Sequence, residues 1–249
     1  MKGKTILITG GTSGLGAAAA RVFAAMEARV IFCGRRLAEG LQMETSIRAD
    51  GGEATFVQAD VTNEQQVEHL VNETCRLYGP PDAAFNNAGA NLYTGPLDQM
   101  TGRQFSDTLA VNLTGTFHSL KYEIQAMKSN GGSIINTAST AGVKGVGQGI
   151  AAYVAAKHGV IGLTKAAALE QARNGIRVNA LVVSAIQTEQ WLKGISSKPG
   201  MQEKIAAAMP TGRISTVEDI IPAILFLASE QSTYITGAAI PVDGGITAG

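Results

Sequence analysis

Thr5-Ile6-Leu7-Ile8-Thr9-Gly10-Gly11-Thr12-Ser13-Gly14-Leu15-Gly16 runs from a short apolar stretch directly into a glycine-rich turn, and an alanine-rich segment follows, Ala17 to Ala25. The apolar stretch carries no charge and has the character of a strand buried on both faces. Its successor has the composition of a helix. A strand, a tight glycine turn and a helix N-terminus together make a backbone-lined anion site that suits the pyrophosphate of a dinucleotide. Gly10 permits the turn, Gly14 the close approach of the pyrophosphate, and Gly16 the packing of helix on sheet. Thr12 and Ser13 add hydroxyl donors, and Leu15 completes the turn.

The same alternation continues along the chain. Thr5–Thr9, Arg29–Cys33, Ala54–Gln58, Ala83–Asn86, Ser133–Thr137, Arg177–Val182 and Ala239–Val242 read as strands. Gly16–Met26, Ala38–Ala49, Glu64–Tyr78, Arg103–Lys128, Ala152–Arg173 and Val217–Ser229 read as helices. This order predicts an α/β fold, a doubly wound parallel sheet of about seven strands with helices on both faces. With no repeat and no linker-like stretch, residues 1–249 are expected to form one domain.

Lys+Arg and Asp+Glu each number 20, so no global field favours nucleic acid or an anionic membrane. The two cysteines, Cys33 and Cys75, form neither a CxxC pair nor a disulfide framework and read as buried thiols of a reducing compartment. No stretch approaches the ~20 apolar residues of a membrane span. A soluble, cytoplasmic protein is expected. His69, His118 and His158 match no metal-ligand spacing, so no metal is expected and all three are read as structural.

Tyr153 and Lys157 share a helix face at i and i+4, so the ammonium is expected to pull the phenol's pKa down and make it a proton donor near neutral pH. A nucleotide cradle with such a donor points to carbonyl–alcohol hydride transfer. At the end of the second strand the chain reads Cys33-Gly34-Arg35-Arg36, where a carboxylate would repel a 2′-phosphate. Gly34 removes that repulsion and Arg35 offers a planar fork, with Arg36 as a second partner, so NADP(H) is favoured and NAD(H) is the alternative.

Several ordered signatures now stand together: Thr9–Gly16, Asp60-Val61, Asn86-Asn87-Ala88-Gly89, Asn112 in Val-Asn-Leu, Ser139, Tyr153-x-x-x-Lys157, Val178-Asn179-Ala180 and Val242-Asp243-Gly244-Gly245. Nearly end to end, the chain resembles the single-domain short-chain dehydrogenase/reductases, a Rossmann-type branch that includes 3-oxoacyl-carrier-protein reductases and glucose or alcohol dehydrogenases. The resemblance implies that Asp60 and Val61 hold the adenine ring and that Asn87, Ala88 and Gly89 line the cofactor groove. It also implies a catalytic tetrad of Asn112, Ser139, Tyr153 and Lys157, the last two touching the cofactor as well. Ile186 and Thr188 match positions that hold the carboxamide. Taken singly, Asp60 reads equally as an N-cap and Asn87-Ala88-Gly89 as a strand-ending turn.

Two departures qualify the match. Ser139 stands one residue farther from Tyr153 than is usual, which leaves Thr140 as the alternative carbonyl donor. Val182-Val183-Ser184 replaces the commoner Pro-Gly, which predicts altered loop geometry beneath the nicotinamide. Residues 188–212, with Trp191, Leu192, Ile195, Met201 and Met209 among polar residues, read as a substrate lid with an apolar underside.

The expected partner is an uncharged or hydrophobic carbonyl or alcohol, with an acyl chain on a carrier protein as the alternative. An NAD-dependent alcohol or sugar dehydrogenase is the nearest rival, and a catalytically silent nucleotide-sensing protein is the rival of another class. Arg103–Lys128 and Ala152–Arg173 carry apolar residues beyond one stripe, among them Val160, Ile161, Leu163, Ala166, Ala167 and Leu169, which predicts helix pairing into a homodimer or homotetramer. A monomer that buries this surface internally is the alternative.

Overall fold

A computed structural model describes residues 1–147, 149–195 and 200–249. Seven parallel strands form one sheet: β1 (Thr5–Thr9), β2 (Arg29–Gly34), β3 (Glu53–Gln58), β4 (Ala83–Asn86), β5 (Gly132–Ser139), β6 (Ile176–Val183) and β7 (Ala239–Val242). Their order is β3-β2-β1-β4-β5-β6-β7. The chain therefore reverses direction across the sheet between β1 and β4, the switch point at which open α/β sheets bind ligands.

Helices cover both faces. α1 (Gly14–Ala25), α2 (Leu37–Ala49) and α9 (Val217–Ala228) lie on one side. α3 (Glu64–Tyr78), α4 (Gly102–Leu109), α5 (Gly115–Met127) and α6 (Ala151–Gln171) lie on the other. Alternation along β1 assigns the faces: Ile6 and Ile8 pack with Phe23, Ile220 and Ile224, while Leu7 packs with Leu70, Leu120 and Met127.

The helix read across Arg103–Lys128 is interrupted. Between α4 and α5 the segment Ala110–Thr114 is π-helical, and Asn112 lies within it. No proline interrupts residues 103–128, so composition gives no sign of the widened turn. Thr101 starts α4 with a full capping box to Gln104.

β6 runs on to Val183, pairing there with Ser139 on one side and Val242 on the other. Two β-branched valines prolong a strand that Pro-Gly would end, so the altered geometry expected here takes the form of a longer strand. Residues 188–212 contain two short helices, α7 (Glu189–Ile195) and α8 (Met201–Ala207). Positions 196–199 of that segment, the Ile195 side chain and Gln148 of the 143–150 loop lie outside the described residues.

Candidate active site

The glycine-rich turn is built by close approach. Gly10 has φ +66°, and a Cβ there would stand 2.8 Å from the Ala88 Cα; at Gly16 it would stand 2.3 Å from the Gly10 carbonyl oxygen. Only glycine fits either place. Gly14, at φ +53°, would meet nothing nearer than Thr188 Cγ2 at 3.2 Å, so its outer side faces space rather than packed backbone. Ser13 stands at the α1 N-cap without a side-chain cap bond, and no acidic residue occupies the first turn. The open N–H groups and the helix dipole fit a phosphate group. The Leu15 side chain turns into the core, leaving its backbone for the groove.

The ends of β1 and β4 are tied together. Thr9 Oγ1 accepts from the N–H groups of Asn87 (3.1 Å) and Ala88 (3.2 Å), and Asn87 Nδ2 donates to the Gly10 carbonyl at 3.1 Å. Gly89 follows, where a Cβ would stand 2.7 Å from Asn112 Oδ1 and 3.4 Å from Lys157 Nζ. That contact brings the β4 turn, the π segment and α6 together.

Asn112 is fully buried and bonded at every polar atom. Its Nδ2 donates to the carbonyls of Ala90 (2.7 Å) and Thr108 (2.9 Å), and its Oδ1 accepts from the Ala90 N–H at 3.1 Å. Ser139 ends β5, with its Oγ accepting from the Ala141 N–H at 3.2 Å. Thr140 already begins the following 3-10 turn, and the Ser139 side chain acts to lower the Tyr153 phenol. Lys157 is 3% exposed; its Nζ lies 5.5 Å from the Tyr153 ring centroid and donates to the Thr137 carbonyl at 2.6 Å.

The electrostatics differ from the expectation of a phenol lowered by Lys157. Burial raises Tyr153, the hydrogen bond to Ser139 opposing it, and burial pushes Lys157 down to about 8. Both groups are desolvated, and Lys157 extends past the ring to a backbone carbonyl. Desolvation thus sets the direction of the shift at both groups.

At the far end of the groove, Gly34 closes β2 with Arg35 and Arg36 exposed beside it. Among the described residues Arg36 pairs with Glu39 at 3.2 Å, whereas Arg35 makes no ion pair. A Cβ on Gly34 would stand 2.7 Å from Thr12 Cγ2, a packing relation that the sequence did not reveal. Asp60 accepts from the N–H and hydroxyl of Thr62 (2.9 and 2.8 Å), while Asn63, not Asp60, caps α3. Val61 is buried against Gly115, and its carbonyl meets His118 Nδ1 at 2.9 Å.

Ile186 pairs with Ser215 in an isolated bridge and packs on the core. Thr188 accepts from the Trp191 N–H at 3.2 Å and so opens α7. Two tethers had no sequence signal, since each joins distant loops. The Gly95 N–H donates to the Gly149 carbonyl at 2.9 Å, and Lys144 Nζ donates to the Ile246 carbonyl. Among the described residues no cluster of three His, Cys, Asp or Glu side chains could hold a metal, and no helix is long and apolar enough to cross a membrane.

A Rossmann-type sheet whose switch point gathers a glycine-rich helix start and a Ser–Tyr–Lys–Asn group defines a dinucleotide-dependent oxidoreductase class, and comparison with known proteins agrees. The family model described as enoyl-(acyl carrier protein) reductase matches residues 10–247. 2,5-Dichloro-2,5-cyclohexadiene-1,4-diol dehydrogenase of Sphingobium indicum is 38% identical over 250 residues, covering 100% of this chain and 98% of its own. Levodione reductase of Leifsonia aquatica is 35% identical over 256 residues, covering 98% and 94%. A solved levodione reductase superposes with a TM-score of 0.94 at 33% identity, covering 100% of this chain and 99% of its own. ElxO with NADP bound gives 0.92 at 33% identity, with full coverage of both. The chain belongs to the short-chain dehydrogenase/reductase family and is an oxidoreductase.

Proposed function

We propose that this enzyme interconverts an uncharged ketone and a secondary alcohol with NADP(H), Tyr153 acting as general acid and base. The observation that carries the reading is the convergence of Ser139, Tyr153 and Lys157 beside Gly89 and the open start of α1. A bound nicotinamide supplies the hydride in reduction and accepts it in oxidation. Tyr153 gives its phenolic proton to the carbonyl oxygen as that oxygen gains charge, and takes it back from the alcohol in reverse. Ser139 donates a hydrogen bond to the same oxygen.

Lys157, held at the Thr137 carbonyl, favours the tyrosinate that remains and reaches toward the ribose hydroxyls. Asn112 supports it by fixing the β4 turn. Gly10, Thr12, Ser13, Gly14, Leu15 and Gly16 hold the pyrophosphate, Asp60 and Val61 the adenine, and Ile186 and Thr188 the carboxamide. Arg35 recognises the 2′-phosphate, and Arg36 is the weaker partner because it already pairs with Glu39. α7 and α8 form the lid over the substrate.

NADP(H) as cofactor draws support from ElxO and from a polyketide ketoreductase solved with NADPH, both aligned at 32–33% identity. A neutral substrate is supported by the relatives' printed names, a cyclohexadiene diol and levodione among them. A screen of ketones and secondary alcohols followed by nicotinamide absorbance, run with NADPH and NADH in parallel, tests the reading. Turnover only with NADH would replace it by the NAD-dependent alternative, and no turnover of any neutral carbonyl or alcohol would end it.

A further inference from the structure

Glu123 points from α5 into the sheet and is 1% exposed. One carboxyl oxygen, Oε2, accepts from Asn86 Nδ2 at 2.8 Å. The other, Oε1, is buried without a partner, and so is Oδ1 of Asn86. Asn86 Nδ2 also donates to Asn136 Oδ1 at 3.0 Å, and Asn136 Nδ2 donates to Thr164 Oγ1 at 3.0 Å. Both amide hydrogens of Asn86 are therefore committed, and its oxygen can be satisfied only by a donor.

The two orphaned oxygens belong to side chains already joined through their other atoms. A proton on Oε1 supplies the missing donor, gives Asn86 Oδ1 its partner and closes a cyclic acid–amide pair. Turning the Asn86 amide over does not remove the need, because its oxygen would then face Oε2. Without that proton the fold holds a buried charge with a single hydrogen bond, at a cost it has no visible means to offset. We propose that Glu123 is a neutral carboxylic acid hydrogen-bonded to Asn86 through both oxygens, and a positioning residue for the turn that follows β4.

Among the described residues no cation pairs with Glu123. On α3, Glu64 engages Lys121 and Tyr122, and Glu73 pairs with Arg76 next to His69. Also on α3, Tyr78 hydrogen-bonds with Thr55 and the Cys75 thiol is raised by burial. On α6, Lys157 is held by Thr137, and on α5 itself His118 meets the Val61 carbonyl. On β2, burial pushes Cys33 up to about 12, with Glu123 acting in the same direction. Burial raises Glu123 to about 7, opposed by the Asn86 hydrogen bond. The consequence reaches the groove because Asn86 leads directly into Asn87 and Ala88, whose N–H groups meet Thr9.

A folded pKa above the ordinary 4.5 means that the native state keeps a proton the unfolded chain releases. The stabilisation is complete below 4.5 and is lost as pH rises through about 7. Glu123→Gln presents the same acceptor and donor without the titration. Between about pH 5 and about pH 8 the wild type is expected to lose on the order of 10²-fold in its folding equilibrium constant relative to that variant. Amide exchange at Asn87 and Ala88 should accelerate over the same range in wild type alone. Infrared spectra of glutamate-labelled protein near pH 6 should contain a carboxylic acid band that Glu123→Gln lacks. A carboxylate in its place, or parallel pH profiles of the two proteins, would overturn the neutral acid, and unchanged Ala88 exchange would overturn the positioning role. None of these readouts requires turnover, so they stand apart from the proposed reaction.

Discussion

Tyr153 and Lys157 lie one turn apart on α6, and burial moves them in opposite directions, the phenol up and the ammonium down to about 8. Tyr153→Phe removes the proton and little volume, so it is expected to slow the chemical step at least ~10²-fold while dinucleotide affinity stays within a few-fold. Single-turnover kinetics beside a binding titration check this. A folded Phe variant with near-normal turnover would mean that another group supplies the proton. Lys157 makes a stability prediction as well. Its folded value lies below the ordinary 10.5, so below about 8 both states are protonated and the fold bears the full cost of a buried cation; stability is regained as pH rises from 8 toward 10.5. Lys157→Met should abolish turnover yet raise unfolding free energy by about 1–3 kcal/mol at neutral pH. Denaturant titrations at neutral and alkaline pH test this, the advantage shrinking at the higher pH. At the groove's far end, Arg35→Ala should weaken NADPH binding several-fold to about a hundredfold and leave NADH nearly untouched. Gly34→Asp, the obvious route to an NAD enzyme, would drive a Cβ to 2.7 Å from Thr12. The switch should therefore succeed only with Thr12→Ala added, as measured by the ratio of kcat/KM for the two cofactors.

The π-helical segment Ala110–Thr114 is the element on which the site's geometry turns. It presents Asn112 to Ala90 from both ends of the amide and to Thr108 within its own helix. Asn112→Ala leaves the Ala90 N–H and two carbonyls without these partners and is expected to cost about 2–4 kcal/mol. Amide exchange at Ala90 should rise beyond what global destabilisation explains, a signature that a remote core variant of equal cost would not reproduce. α7 and α8 lie within the 188–212 stretch, whose sequence shows no extended helical pattern. Each spans only seven residues, and short helices owe their existence to tertiary support more than to propensity.

Self-association is a question for the whole molecule. Val160, Ile161 and Ala167, counted from sequence as surplus apolar residues of α6, are buried against the chain's own sheet. Exposed on α6, α5 and α4 are Leu169 at 83%, Phe117 at 45% and Phe105 at 37%. A second copy packed on these helices would cover apolar side chains that the monomer leaves exposed, and the proposed assembly is a homodimer or homotetramer. Sedimentation at micromolar concentration should give a mass of two or four chains. A single species near 25.8 kDa would reject self-association, and Phe117→Glu with Leu169→Glu should produce that species from a wild-type oligomer.

Local chemistry was legible in the order of residues. Strands buried on both faces read as unbroken apolar runs, and glycines spaced at a strand end announce a turn, so the seven strands, the cradle Gly10–Gly16 and the Tyr153–Lys157 spacing were all readable. Each is set by residues within a few positions of one another. Tertiary structure alone decided the rest: the direction of the pKa shifts at Tyr153 and Lys157, the Thr12–Gly34 exclusion, the fit of Gly89 against Asn112, and the pairing of Glu123 with Asn86. All of these depend on desolvation or on contact between segments tens of residues apart. Burial is a property of the assembled sheet and helices, and no window along the chain contains it.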